Sequence, residues 1–379
     1  MIDIVFNKKE FEYDAYTLIK AFYPQEEVSI LYEGEEKTEA FQEKEEAFLV
    51  VKITYNKEDT RLEVLKNKET VFEETIFLAS DDERKERKNK LKQALYRGLS
   101  KETKKVLPWG DLTGIRPTKI AMGLIESGMS NVETAEFMRN TYYTSNEKTA
   151  LAITIANRER ALLADIDYKN GYSLYVGIPF CPSICLYCSF SSYPLAKWRN
   201  KVDAYLDALC KELTYIGETM KVRTLDTIYI GGGTPTTLEP EQLERLLSHI
   251  ECCFPTREVK EYTIEAGRPD SITREKLEVI RKYPVTRISV NPQTMNQATL
   301  DLIGRRHTVE DTRHAFALAR ECGFDNINMD LIVGLPGECA KDVQKTLEEV
   351  KKMEPDSLTV HSLAIKRATR LHLFQDRYQ

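Results

Sequence analysis

Cys181, Cys185 and Cys188 form a C-x3-C-x2-C run inside the stretch SLYVGIPFCPSICLYCSF. Iron–sulfur clusters are ordinarily held by four cysteines. Three thiolates on one short loop can hold three irons of a 4Fe–4S cluster and leave the fourth iron without a protein ligand. The same logic separates catalytic from structural zinc sites, and it leaves a position for a substrate or cofactor. Zinc is the competing occupant, because cysteines at short spacing are often zinc ligands. A zinc knuckle would ask for a fourth cysteine or a nearby histidine. The five histidines, His249, His307, His314, His361 and His372, all lie away from this loop in the sequence, and the adjacent pair Cys252–Cys253 is poorly spaced for chelation. Cys210, Cys252, Cys253, Cys322 and Cys339 read mostly as small core residues.

Other polar residues follow apolar runs downstream. Gly231-Gly232-Gly233-Thr234-Pro235 comes directly after an apolar run. Consecutive glycines allow positive φ and close approach of backbone to a ligand, so exposed backbone groups there are expected to pair with a polar molecule. Glu265 and Gln293 end two later runs, Asp330 lies within another, and Arg305 sits in GRRH. A carboxylate or amide at a strand end accepts hydrogen bonds from hydroxyl or ammonium groups, and an arginine binds a carboxylate bidentately. Asp330 is the sharpest of these, since an unpaired charge within an apolar strand is costly. Together they describe a site for a charged, hydroxylated small molecule.

The elements needed to gather these residues are legible as patterns. From Gly171 onward, short apolar runs alternate with helical segments: SLYVGI, DTIYIG, YTIEA, TRISVN, NINMDLIV and SLTVHS. Six βα units in a row imply a parallel sheet, with its site at the carboxyl ends of the strands. Six units fall short of eight, so an open, partial (β/α)6 TIM-like barrel is expected. Before it, MIDIVF, EVSILYEG, AFLVVKITY and RLEVLKN read as strands and YDAYTLIKAFY as a helix. A charged helix is expected from Asp81 to about Lys105, an ordered loop at LPWGDLTGIRP, and helical periodicity from Pro117 to Ala164. The α/β chain thus divides into an N-terminal α+β domain, 1–165, and the barrel, 166–379.

The formal charge of −6, from 54 basic and 60 acidic residues among 379, argues against a nucleic-acid partner. No apolar run approaches a membrane span, and MIDIVFNKKE has no signal-peptide pattern. Eight cysteines without a secretion signal predict reduced thiols and a cytoplasmic location.

The cysteine loop after strand one, with Tyr187 before its third cysteine, GGGTP after strand two and the six βα units together resemble the radical S-adenosylmethionine superfamily. The resemblance covers about 171–379. YVGIPFCPSICLYCSF, YIGGGTPTTL, RISVNPQ and MDLIVGLPG resemble its oxygen-independent coproporphyrinogen III oxidase branch, and the long N-terminal domain resembles the coproporphyrinogen dehydrogenase subgroup. That resemblance implies that Cys181, Cys185 and Cys188 ligate a 4Fe–4S cluster and that S-adenosylmethionine chelates the open iron. It implies that Gly232, Gly233 and Thr234 lie against the methionyl group, that Glu265 and Arg305 meet its charged end, and that Gln293 and Asp330 face the ribose. Ala364 matches a backbone contact to adenine, and Tyr175 a catalytic tyrosine near the sulfonium.

The implied reaction is hydrogen abstraction from a propionate β-carbon, then loss of carbon dioxide and one electron to leave a vinyl group. Two such events give protoporphyrinogen, within heme biosynthesis. The implied partners are a tetrapyrrole and an electron donor such as a flavodoxin or ferredoxin. Arg116 and Arg268 are candidates to pair substrate carboxylates, against a plainer reading as solvated surface arginines.

Three features depart from the family pattern. Phe190 stands where the oxidases carry a further cysteine, and Gly177 where they carry a histidine. Members of the subgroup also continue about a hundred residues further, so a C-terminal extension is expected to be missing. Two other readings therefore stay open, a heme-binding or heme-trafficking protein on this scaffold and a radical enzyme with another substrate.

Overall fold

The computed structural model describes residues 1–34, 47–77, 83–366 and 369–373. It divides into two compact units, Met1–Ala164 and Asp165–Gln379.

The first unit holds a five-stranded sheet in the order β2-β1-β3-β4-β5, built from β1 (Ile2–Phe6), β2 (Val28–Tyr32), β3 (Leu49–Tyr55), β4 (Asp59–Lys66) and β5 (Glu69–Phe77). Helices α1 (Glu12–Phe22) and α2 (Arg84–Thr103) bury Leu18, Phe22, Leu95 and Leu99 with Ile4, Phe6 and Ile53 of the sheet. Strand β5 is absent from the sequence reading. Its side chains are mostly exposed or half-buried, so apolar alternation is faint. The turn before it uses Asn67 and Lys68, both at positive φ (49° and 72°). That is the two-residue hairpin geometry that fits strand twist, here without its usual glycine. The helical stretch after Pro117 resolves into α3 (Pro117–Glu126), α4 (Asn131–Tyr142) and α5 (Asn146–Leu163). Ser130 and Glu133 form a capping box that starts α4. Trp109 packs beside the small core of Ala121, Met138 and Ala152.

The second unit is the barrel. Its strands are β6 (Tyr172–Ile178), β9 (Leu225–Gly232), β10 (Glu261–Gly267), β11 (Arg287–Val290), β12 (Ile327–Val333) and β13 (Ser357–Ser362). All pair in parallel and in chain order, with β6 and β13 as the two edges. Two short strands, β7 (Phe180–Cys181) and β8 (Tyr193–Pro194), pair with each other and tie the two ends of the cysteine loop. Each strand returns through a helix, the sequential pattern of a (β/α) barrel, here six units and open.

Register explains where the chemistry goes. Tyr175 pairs with Tyr229, which pairs with Thr263, which pairs with Arg287. Side chains alternate along a strand. One face therefore carries Tyr175, Gly177, Tyr229, Gly231, Thr263, Glu265, Ser289, Asn328 and Asp330. The other carries Val176, Ile178, Ile228, Ile230, Ile264, Ile288, Met329 and Leu331, all buried in the main core under the helices. The helix-facing side is apolar, and the barrel interior is polar. Arg287 joins Asn328 (2.8 Å) and Ser357 (3.0 Å) across that interior, and Asn328 donates to Asp330 (2.7 Å).

Candidate functional site

The cysteine loop leaves the carboxyl end of β6 and is fixed from several directions. Leu186 is buried with Leu300, Ile303, Ile332 and Leu371, and its amide donates to the Ile303 carbonyl (2.9 Å). Ser183 donates to the Gly304 carbonyl (2.9 Å). All eight cysteines are free thiols, and Cys181, Cys185 and Cys188 line one cavity.

Gly232, Gly233 and Thr234 line the same cavity and pack against the start of the loop. At Gly233 a Cβ would stand 2.6 Å from the Phe180 carbonyl and 3.0 Å from Cys181 Sγ, and Gly232 has φ +105°. Glycine is therefore needed for close approach of two loops. The amides differ from the sequence expectation. Gly233 donates to Ile178 (2.7 Å) and Thr234 to Phe180 (2.8 Å), so both are consumed within the protein. What these residues leave for a ligand is carbonyl oxygen and bare Cα. Thr234 itself is buried with Oγ1 3.6 Å from Cys181 Sγ.

Glu265, Gln293, Arg305 and Asp330 all line the same cavity. Glu265 accepts from the Tyr229 hydroxyl. Burial pushes its carboxyl up, the Tyr229 hydrogen bond draws it down, and neighbouring Asp330 pushes it up again. A cation arriving there would relieve the strain of that buried charge. Gln293 does not end a regular strand. It lies three residues past β11, at φ +69°, bridged to Leu331 of β12. A buried non-glycine residue in that region is held by its surroundings, as at ligand sites. Its Oε1 has no hydrogen-bond partner.

Arg305 is buried, and Nη1 donates to the Asn291 carbonyl. Burial opposes its charge, and facing Tyr187 and Cys185 outweigh burial and raise its pKa. Arg268 is not a solvated surface residue. It is 3% exposed, forked onto Asp270 (2.9 and 2.7 Å), and its third nitrogen donates to Ser183 Oγ (2.8 Å), 3.9 Å from Cys185 Sγ. It is thereby unavailable to substrate. Two buried guanidiniums beside Cys185 suit an anionic thiolate–cluster assembly. Burial pushes Cys181 and Cys188 upward, against hydrogen bonds that lower them, so thiolate is secured by bound metal. The donor set fits a three-cysteine cluster. The glycine cradle and the orphaned Gln293 oxygen fit a polar ligand beside it.

Three expected residues lie elsewhere. Tyr175 is 62% exposed and stacks on Tyr229 at 5.8 Å, in a neighbouring open pocket with Tyr205, Gly177 and Phe190. Ala364 is exposed after β13 and does not line the cavity. Arg116 is exposed at the start of α3. Sequence reasoning missed Tyr229 and Asn291 as part of the site, and it offered Arg268 for substrate carboxylates rather than for the cysteine loop. Tyr229 was findable, since it lies two residues before Gly231 and so shares its face. Asn291 accepts from the Asp330 amide (3.2 Å) through its side chain, and only the fold brings it there.

A model of the radical SAM superfamily matches residues 175–350. The oxygen-independent coproporphyrinogen-III oxidase-like protein HemZ of Bacillus subtilis (strain 168) is 38% identical over 93% of this chain and 71% of its own length. The heme chaperone HemW of the same organism is 37% identical over 53% of this chain and 55% of its own. The oxygen-independent coproporphyrinogen III oxidase of Escherichia coli (strain K12) is 34% identical over 51% of this chain and 42% of its own. The chain belongs to the radical SAM superfamily, in its coproporphyrinogen III oxidase-like family. That family works with a 4Fe–4S cluster and S-adenosylmethionine, which removes zinc as the competing occupant. The chain spans about seven tenths of the first relative and about half of the other two. Among the described residues no helix is long and apolar enough to cross a membrane.

Proposed function

We propose that the chain is a radical S-adenosylmethionine oxidoreductase that converts two propionates of coproporphyrinogen III to vinyl groups. The observation that carries this reading is one cavity lined by three free cysteines and by Gly232, Gly233, Thr234, Glu265, Gln293 and Asp330. Bound together, cluster and S-adenosylmethionine supply a carbon-centred radical able to take hydrogen from an unactivated C–H bond. Cys181, Cys185 and Cys188 hold the cluster, and Arg268 and Arg305 balance its charge. Glu265 accepts from the methionyl ammonium. Gln293 and Asp330 receive ribose hydroxyls. Tyr175 closes the side toward the open pocket, where the tetrapyrrole and its propionate would lie. An electron donor of flavodoxin or ferredoxin type would be the partner that such a cluster needs.

A second reading is heme binding or trafficking. It is favoured by the similarity to a heme chaperone and by Phe190 and Gly177, the two departures, which both line the open pocket. The deciding experiment is anaerobic. The cluster is reconstituted and reduced, S-adenosylmethionine and coproporphyrinogen III are added, and 5′-deoxyadenosine and tetrapyrrole masses are followed. Loss of two carboxyl groups that vanishes in Cys185→Ala supports the oxidase. Cofactor cleavage with unchanged tetrapyrrole sinks this substrate. Heme binding without cleavage supports trafficking.

A further inference from the structure

The loop LPWGDLTGIRP, Leu107–Pro117, has no part in the cluster cavity, yet it is built with care. At Gly110 (φ +59°) a Cβ would stand 1.8 Å from the Tyr142 carbonyl, so the loop lies flush against the end of α4. The Asp111 amide donates to that same carbonyl (3.0 Å), and the Ser145 amide to the Pro108 carbonyl (2.9 Å). So fixed, the loop turns Asp111 and Thr113 into a cavity wholly within the first unit.

Across that cavity runs one face of α2. Lys85, Lys88 and Lys92 are spaced by three and four residues, so they form a stripe. Lys119, in the first turn of α3, adds a fourth ammonium. The start of α3 itself lies outside the lining: Pro117 has no amide hydrogen, and the Lys119 amide already donates to the Arg116 carbonyl (3.1 Å). Only Asp14 and Asp111 are acidic among the lining residues, which leaves a net positive cavity in an acidic chain. Ile120, Leu124 and Phe137 give it an apolar wall.

Two buried groups mark the cavity as a site. Asp111 is 2% exposed, and its Oδ1 has no hydrogen-bond partner. Lys92 is 7% exposed, and its Nζ reaches the Thr113 hydroxyl at 3.2 Å. Burial drives Asp111 up to about 7 and Lys92 downward, each against the pull of the other's charge. Buried ionisable groups left partly unanswered in a cleft are the signature of a binding site.

We propose that this cavity binds a phosphorylated small molecule of nucleotide type. Its phosphates lie against Lys85, Lys88, Lys92 and Lys119, its ring lies on the apolar wall, and a hydroxyl or amino group donates to Asp111. Clustered lysine ammoniums meet the concentrated charge of a phosphate as point charges.

The full chain is titrated calorimetrically with ATP, with AMP and with coproporphyrin III, each in low salt. The expected result is saturable binding of ATP or AMP, competed by inorganic pyrophosphate. That binding weakens about tenfold in Lys88→Gln and in Lys92→Met, the loss of about one charge-assisted contact. Lys88 is half-buried at the rim, so its variant is expected to fold even where Lys92→Met does not; melting temperature checks both. No binding of either nucleotide at millimolar concentration overturns the proposal. So does nucleotide binding indifferent to Lys88, and so does binding of coproporphyrin III alone.

Discussion

The cluster cavity and the open aromatic pocket beside it share Gly232, Glu265 and Phe190, yet they are made differently. In the cavity, side chains are committed. Arg268 is forked, Thr234 lies against Cys181, and glycine fills positions where a methyl group would collide. In the pocket, Tyr175 and Phe190 are 62% and 73% exposed and Gly177 leaves room. A site whose walls are spoken for can take one kind of occupant. A site lined by exposed aromatics can change occupants with few substitutions. The family's shared cofactors and its varied names, oxidase-like protein and heme chaperone, match that contrast.

The largest expected effect breaks the committed side. Arg268→Ala leaves Asp270 without its partner and unhooks Ser183. Breaking a buried pair costs about 3 kcal/mol, seen as a lowered midpoint in denaturant, and iron retention should fall about tenfold or more. Arg268→Lys should recover stability only in part, because ammonium cannot fork. If both variants keep stability and iron, the cavity is less committed than the contrast requires. Next comes Gly233→Ala. The new methyl group meets the Phe180 carbonyl, and a displacement near 1 Å costs about a hundredfold in rate. Cofactor cleavage should drop by that order with the protein still folded.

How much of this was legible follows the same division. The cysteine spacing, GGGTP and Asp330 could be read because the chemistry restricts residue type at each position. The parallel barrel could be read because six apolar runs alternate with helices. Gln293 was found, but its left-handed backbone was not, since glutamine gives no local sign of it. Arg268 was misjudged because nothing in RPD reveals that the cysteine loop folds over it. Strand β5 was missed because an edge strand with one exposed face carries little apolar alternation. Residues whose role is set by partners far along the chain stay silent until the fold supplies the partners.

A smaller effect tests the boundary between cavity and pocket. Glu265 belongs to both, and burial raises its pKa above the ordinary 4.5. A cationic ligand binds the carboxylate form, so binding should weaken as pH falls through that raised pKa. Glu265→Gln keeps the shape and the contact with Tyr229 but not the charge. The KM for S-adenosylmethionine should rise about tenfold, in line with loss of one charge-assisted contact, and its dependence on pH in the acid range should flatten. A KM unchanged in the variant would place the ammonium elsewhere.

The smallest expected effect on cofactor chemistry is the most informative about the pocket. Phe190 is on the outer rim, 73% exposed, and holds no hydrogen bond to the cluster loop through its ring. Phe190→Ala removes only that exposed ring and keeps the backbone beside Cys188, so iron content and cofactor cleavage without substrate should stay within about twofold, the effect of about 0.5 kcal/mol usual for an exposed side chain. A tetrapyrrole with a pyrrole ring resting on Phe190 and Tyr175 would lose aromatic contact of about 1 kcal/mol, which is several-fold in KM or Kd. The comparison sharpens if the variant weakens coproporphyrinogen or heme while cofactor cleavage stands. It fails if both fall together, because the pocket would then be part of the cofactor's own enclosure, and the freedom of its walls would have nothing to do with choice of substrate.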